Sequence, residues 1–202
     1  MKKILWSLLI VLFLVFCVTG YGLAQNDVLH LYTAFDTEEA KLYIEAFEEE
    51  TGIDVQWVRM SSGEVLARVE AEAGNPQASV WHAGSNTSHI NAASKGLLEP
   101  YEPDTDFELP DLFHADDWAW LGFYSGAIGF VTNTEFLQEN NMEPPTSWAN
   151  LLHPKLKQNV AMAYPYTSGT AYTTYATLVQ MLGMEKALDW WEDFDQDRKS
   201  VV

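Results

Sequence analysis

Cysteine is all but missing from this chain: Cys17 is the only one in 202 residues, and it sits inside an N-terminal apolar run. Once that run is set aside no thiol remains, which excludes a disulfide scaffold, a thiolate metal site and a cysteine nucleophile. Stability must then come from a packed core, and a composition that is 48% hydrophobic and 13% aromatic supplies one. Positive charge is scarce too. Eleven Lys and Arg stand against 29 Asp and Glu, a formal net charge of −18, which argues against nucleic acid or an anionic membrane surface as partner. Catalytic signatures are also lacking: there is no G-x-S-x-G elbow, no H-E-x-x-H, no phosphate-binding P-loop and no G-x-G-x-x-G. His82 and His89 stand seven apart and His30 and His114 are scattered, without the short fixed spacing of a zinc site.

What is present begins with a targeting pattern. Met1-Lys2-Lys3 is a basic start, residues 4–18 are apolar, and Gly22-Leu23-Ala24 places small residues where signal peptidase cleaves. The apolar run is shorter than the roughly 20 residues that span a bilayer. Residues 1–24 therefore read as a signal peptide, with export to the periplasm and no stable membrane insertion after cleavage. The alternative, a lipid anchor at Cys17, has bulky Phe16 just before it, where that processing prefers a small residue.

From residue 28 onward strand and helix patterns alternate. Residues 28–34 read as a buried strand and 37–51 as a helix with Ala40, Tyr43, Ile44 and Phe47 on one stripe, ended by Gly52. Residues 53–60 form a second strand, and Ser61 and Glu64 have capping-box spacing at the next helix start. A third short strand spans 78–82, and a helix over 88–95 ends at Gly96. Three such units predict a parallel sheet whose ligand loops lie at the carboxyl ends of the strands, at Thr33 to Asp36, Ser61 to Gly63 and His82 to Ser85. Residues 99–117 read as an irregular connection, and 118–124 and 127–132 as two β-rich segments. A short helix follows Pro144-Pro145. Then a strand at 160–163 breaks at Tyr164-Pro165-Tyr166 and a helix starts at Thr167 or Ser168, with Gly169 in its first turn. That turn leaves backbone amides unpaired and aimed at one spot suited to an anion. Residues 185–194 are amphipathic, and 197–202 read as a tail foreign to the fold.

Taken in order, Leu31-Tyr32-Thr33-Ala34, Thr51-Gly52-Ile53-Asp54-Val55, Val80-Trp81-His82-Ala83-Gly84 and Lys95-Gly96-Leu97-Leu98-Glu99-Pro100-Tyr101 resemble stretches of the solute-binding proteins of bacterial ABC importers. Gly129-Phe130-Val131-Thr132-Asn133-Thr134, Pro144-Pro145-Thr146-Ser147-Trp148 and Thr167-Ser168-Gly169-Thr170-Ala171-Tyr172 continue the likeness. The branch it resembles binds iron(III), phosphonates or sugar phosphates. The resemblance implies an α/β fold of the type II periplasmic-binding kind, with residues 25–127 as a first lobe and 128–196 as an incomplete second one. It implies a monomeric receptor, not an enzyme, that holds ferric iron with a companion anion, or a small phosphorylated or phosphonate anion, and works with an importer permease. A secreted α/β hydrolase is the alternative function.

The expected ligand-binding residues are Thr33, Asp36, Ser61, Ser62, His82, Ser85, Tyr124, Tyr164, Ser168, Gly169 and Thr170. Asp36 is the one candidate for a metal. No cofactor is expected beyond the ligand itself. The helix start at Ser168 is expected to face the loops of the first lobe across a gap.

Overall fold

The computed structural model describes residues 28–104, 108–196 and 199–200. Residues 1–24, expected to be a signal peptide, with Cys17 among them, and most of the 197–202 segment lie outside the described residues.

Strand β1, Val28–Thr33, is the centre of a three-stranded parallel sheet in the order β2-β1-β3, flanked by β2, Asp54–Arg59, and β3, Val80–His82. Leu31 faces Trp57 on one side and Val80 on the other. Parallel neighbours need crossover helices. Helix α1, Thr37–Thr51, makes the first crossing and stops at Gly52, whose φ of 71° lets its amide return to the Glu48 carbonyl. Helix α2, Ser62–Ala71, makes the second, and α3, Asn86–Ser94, follows β3 and packs beside α2. Leu31, Phe35, Ala40, Ile44 and Ala83 form one buried cluster, with Val55 and Trp57 against it.

A second cluster is built differently. Helices α5, Gly169–Leu182, and α6, Met184–Asp195, pack together after the short helix α4, Thr134–Glu139, and two 3₁₀ turns. Leu151, Leu178, Ala187, Trp190 and Phe194 are its buried residues. The Trp190 indole stacks on Phe194 at 4.9 Å and its N–H donates to the Trp148 carbonyl at 3.1 Å. The only strand pairing described in this region is short: β4, Ala161–Met162, lies parallel to β5, Lys199–Ser200. Two residues of the segment expected to be foreign thus pair in a sheet.

Two expectations are corrected here. Residues 118–124 and 127–132 read as β-rich, yet apart from one antiparallel bridge, His114 to Leu121, they are irregular. A strand needs a ladder partner for its backbone; residues 118–122 make only scattered backbone bonds to Tyr101, Phe113 and Ala115, and rings add to the fastening, Phe123 on His82 and Phe130 on Trp148. The helix expected over 88–95 begins at Asn86, because Ser85 has extended geometry and caps it. No helix among the described residues is long and apolar enough to cross a membrane.

Candidate functional site

The carboxyl ends of β1 and β3 are tied together by Ala34, whose amide donates to the His82 carbonyl at 3.0 Å. Thr33 is fully buried, its hydroxyl accepting from the Phe35 amide and lying 3.4 Å from His82 Nδ1. The His82 ring stacks on Phe123 and meets Phe35 and Tyr43 edge-on, and burial pulls its pKa below the ordinary value. After His82 the backbone turns through two positive φ angles, 63° at Ala83 and 107° at Gly84. Alanine in the left-handed region stores strain. The turn brings Gly84 so close to Ser62 that a Cβ there would stand 2.6 Å from the Ser62 hydroxyl. Tyr124 reaches the same turn, its hydroxyl 3.5 Å from the Gly84 carbonyl.

Three helix starts converge beside that turn. Ser61 caps α2: its amide and hydroxyl both donate to the Glu64 carboxylate, at 2.8 and 2.7 Å, and these bonds hold Glu64 below the usual carboxylate range. Ser62 is buried, and its hydroxyl accepts from the Ser85 amide at 3.2 Å. Ser85 caps α3, with its hydroxyl bonded to Thr87 and Ser88. Ser168 caps α5 and accepts from the Ala171 amide at 3.3 Å. Gly169 is buried against Ser62 and Ser85, where a Cβ would lie 2.8 Å from each hydroxyl. The α5 start therefore touches the loops that follow β2 and β3 at Gly169, and the gap expected there is absent at that point. Gly63 completes the join by donating its amide to the Thr167 carbonyl at 3.0 Å.

The open space lies alongside. A cavity of ≈ 210 Å³ is bounded near the helix starts by Gly63, Thr87, Ser88, Ser168 and Gly169. Helix first turns leave amides without intrahelical partners, and those of Asn86, Thr87, Gly169 and Thr170 have no hydrogen-bond partner among the described residues. Three helix starts also concentrate positive dipole ends, which favours a negative ligand.

Of the residues expected from sequence, Ser61, Ser62, Ser85, Ser168, Gly169 and Thr170 belong to these converging starts. Thr33, His82 and Tyr124 form a neighbouring cluster that reaches them through Gly84. Tyr164 supports the α5 turn, its carbonyl accepting from the amides of Thr167 and Ser168 and its ring stacking on Tyr166 at 5.2 Å. Asp36 stands apart, its carboxylate 3.3 Å from the Arg59 guanidinium and largely exposed. Among the described residues no three His, Cys, Asp or Glu come together as a metal site would require. Gly63 and Gly84 were not singled out as site residues. Their signal was a glycine beside a serine at a strand-to-helix turn, the position that admits a neighbouring backbone.

The family model for bacterial extracellular solute-binding proteins matches residues 43–202. An uncharacterized protein of Haemophilus influenzae is 37% identical over 153 residues, 73% of this chain and 44% of that protein. A putative 2-aminoethylphosphonate-binding periplasmic protein of Salmonella typhimurium is 28% identical over 130 residues, 64% of this chain and 36% of its own length. Among solved structures, the periplasmic binding protein AfuA from Actinobacillus pleuropneumoniae, with exogenous fructose-6-phosphate bound, superimposes with a TM-score of 0.78 at 34% identity. The match covers 87% of this chain and 57% of that one. The chain thus spans about half the length of the relatives it matches, or less. With a family match over most of its residues and the parallel α/β fold of a periplasmic binding protein, the chain belongs to the bacterial extracellular solute-binding proteins.

Proposed function

We propose that the chain is the exported receptor of an ABC importer, delivered to the periplasm by residues 1–24, and that it captures a small phosphorylated or phosphonate anion for the partner permease. The observation that carries this reading is the convergence of the α2, α3 and α5 starts around one cavity with unspent amides. Amide hydrogen bonds to a charged oxygen contribute about 1.5–3 kcal/mol each, so two or three of them supply about 3–9 kcal/mol, a large share of the roughly 8 kcal/mol that micromolar capture requires. A fructose-6-phosphate-bound relative and one named for 2-aminoethylphosphonate agree with an anion of this class. Ferric iron is the weaker reading, since Asp36, the metal candidate, already faces the Arg59 cation. The family consists of binding proteins, so the hydrolase alternative is set aside.

Calorimetric titration of the full chain with inorganic phosphate, fructose 6-phosphate, 2-aminoethylphosphonate and ferric citrate tests the reading. One phosphorus compound should bind stoichiometrically without turnover, and Gly169→Val should weaken it by at least about 100-fold through loss of two amide contacts. Unchanged affinity in a folded Gly169→Val, or tight binding of ferric citrate alone, would overturn it.

A further inference from the structure

On the anion reading above, which this inference deepens, the cavity walls bear on how many negative charges the ligand carries. No lysine, arginine or histidine is among the described residues that line it. The one charged side chain there is Glu70 of α2, and the Lys95 ammonium is already held by that carboxylate at 2.5 Å. Helix α3 contributes neutral Thr87, Ser88 and Asn91, and the other titratable groups on the walls are the phenols of Tyr166 and Tyr172. Attraction therefore comes from amides and helix ends, in a chain whose formal net charge is −18. A second negative charge on the ligand meets no counter-ion.

The hydroxyls on the walls sort the ligand's oxygens further. Ser168 accepts from the Ala171 amide and keeps its own proton for a ligand oxygen. Thr87 is the opposite case: its hydroxyl donates to the Ser85 hydroxyl at 3.0 Å, and Ser85 in turn meets Ser88 at 3.1 Å. With its one proton engaged there, Thr87 offers the cavity only lone pairs. A ligand oxygen that carries a proton donates to Thr87. An unprotonated, charged oxygen in the same place sets acceptor against acceptor and loses the hydrogen bond it had in water.

We propose that the site takes the singly protonated monoanion of a phosphorus oxyacid group, its P–OH donating to Thr87 Oγ1 while its other oxygens accept from the amides and from Ser168. Thr87 is then a specificity-determining residue that rejects the dianion and also rejects sulfate, which has no proton to donate near neutral pH.

Calorimetry on the full chain with inorganic phosphate, fructose 6-phosphate and sulfate, in the wild type and Thr87→Val, tests it. The titrations are run at about pH 5.5 and about pH 8, on either side of the second ionisation of a phosphoryl group near pH 6. Each phosphorus compound that binds should lose at least about tenfold in affinity toward the higher pH, beyond any change seen with sulfate, and sulfate should bind at least about tenfold more weakly than the phosphorus compounds at the lower pH. Valine keeps the branched shape but removes the acceptor, so both ratios should shrink by about threefold or more. Affinity for the phosphorus compounds that holds or rises toward the higher pH, sulfate bound as tightly as they are, or unchanged ratios in a folded Thr87→Val would overturn the selection while leaving the anion site standing. Binding of neither phosphorus compound to the wild type would overturn the anion site and this proposal with it.

Discussion

In the region around β1 the backbone carries the architecture: three strands in parallel register, with Leu31, Phe35, Ile44 and Ala83 filling the space under α1. Around Trp190 the order is reversed. Backbone pairing described there is a two-residue ladder, and the packing depends on rings, with Trp190 between Trp148 and Phe194 and its indole N–H fixing the Trp148 turn. A ladder spreads its stabilisation over many equivalent bonds, whereas an aromatic hub concentrates it in one side chain. The hub region should therefore be the more fragile to a single substitution.

Trp190→Ala is the largest test of that contrast. It removes three ring contacts and a hydrogen bond and should cost about 3–5 kcal/mol, against about 2–5 for Leu31→Ala. Urea denaturation followed by circular dichroism would measure both, and a smaller loss at Trp190 than at Leu31 would break the comparison. Next in size is Gly63→Ala, at the join of the two regions. The added Cβ collides with the Tyr166 carbonyl and displaces the bond to Thr167, for about 1–3 kcal/mol. Hydrogen exchange should quicken at the first turn of α5 with little change in β1; protection lost equally in both would mean the join is not local.

The smallest effect is acid sensitivity, confined to the first region. Burial lowers the pKa values of His82 and His89 from 6.5. The unfolded chain then binds more protons than the folded one, so stability falls as pH drops below 6.5 toward the lowered values and is whole above it. Replacing His89 by Gln should flatten part of that slope in melts between pH 7 and 5. An unaltered slope would move the sensitivity elsewhere.

The same contrast explains what could be read from sequence. Helix α1 lies where its apolar stripe and Gly52 place it, and β1 and β2 fall within a residue of their expected ends, because local periodicity and buried parallel pairing agree. Residues 118–124 and 127–132 are rich in β-forming residues but lack a described partner strand, and composition cannot report whether a partner exists. At the site, the Ser168 cap and Gly169 were legible from local turn chemistry. That Gly169 meets Ser62 and Ser85, more than 80 positions earlier, follows from the turn at Ala83 and Gly84, which no single segment encodes.

The Gly63 to Thr167 bond joins main-chain atoms on both sides. Every hydroxyl, ring and carboxylate around it can be exchanged during descent without cutting that tie, so a lineage can drift from one solute to another while its two halves keep their mutual grip.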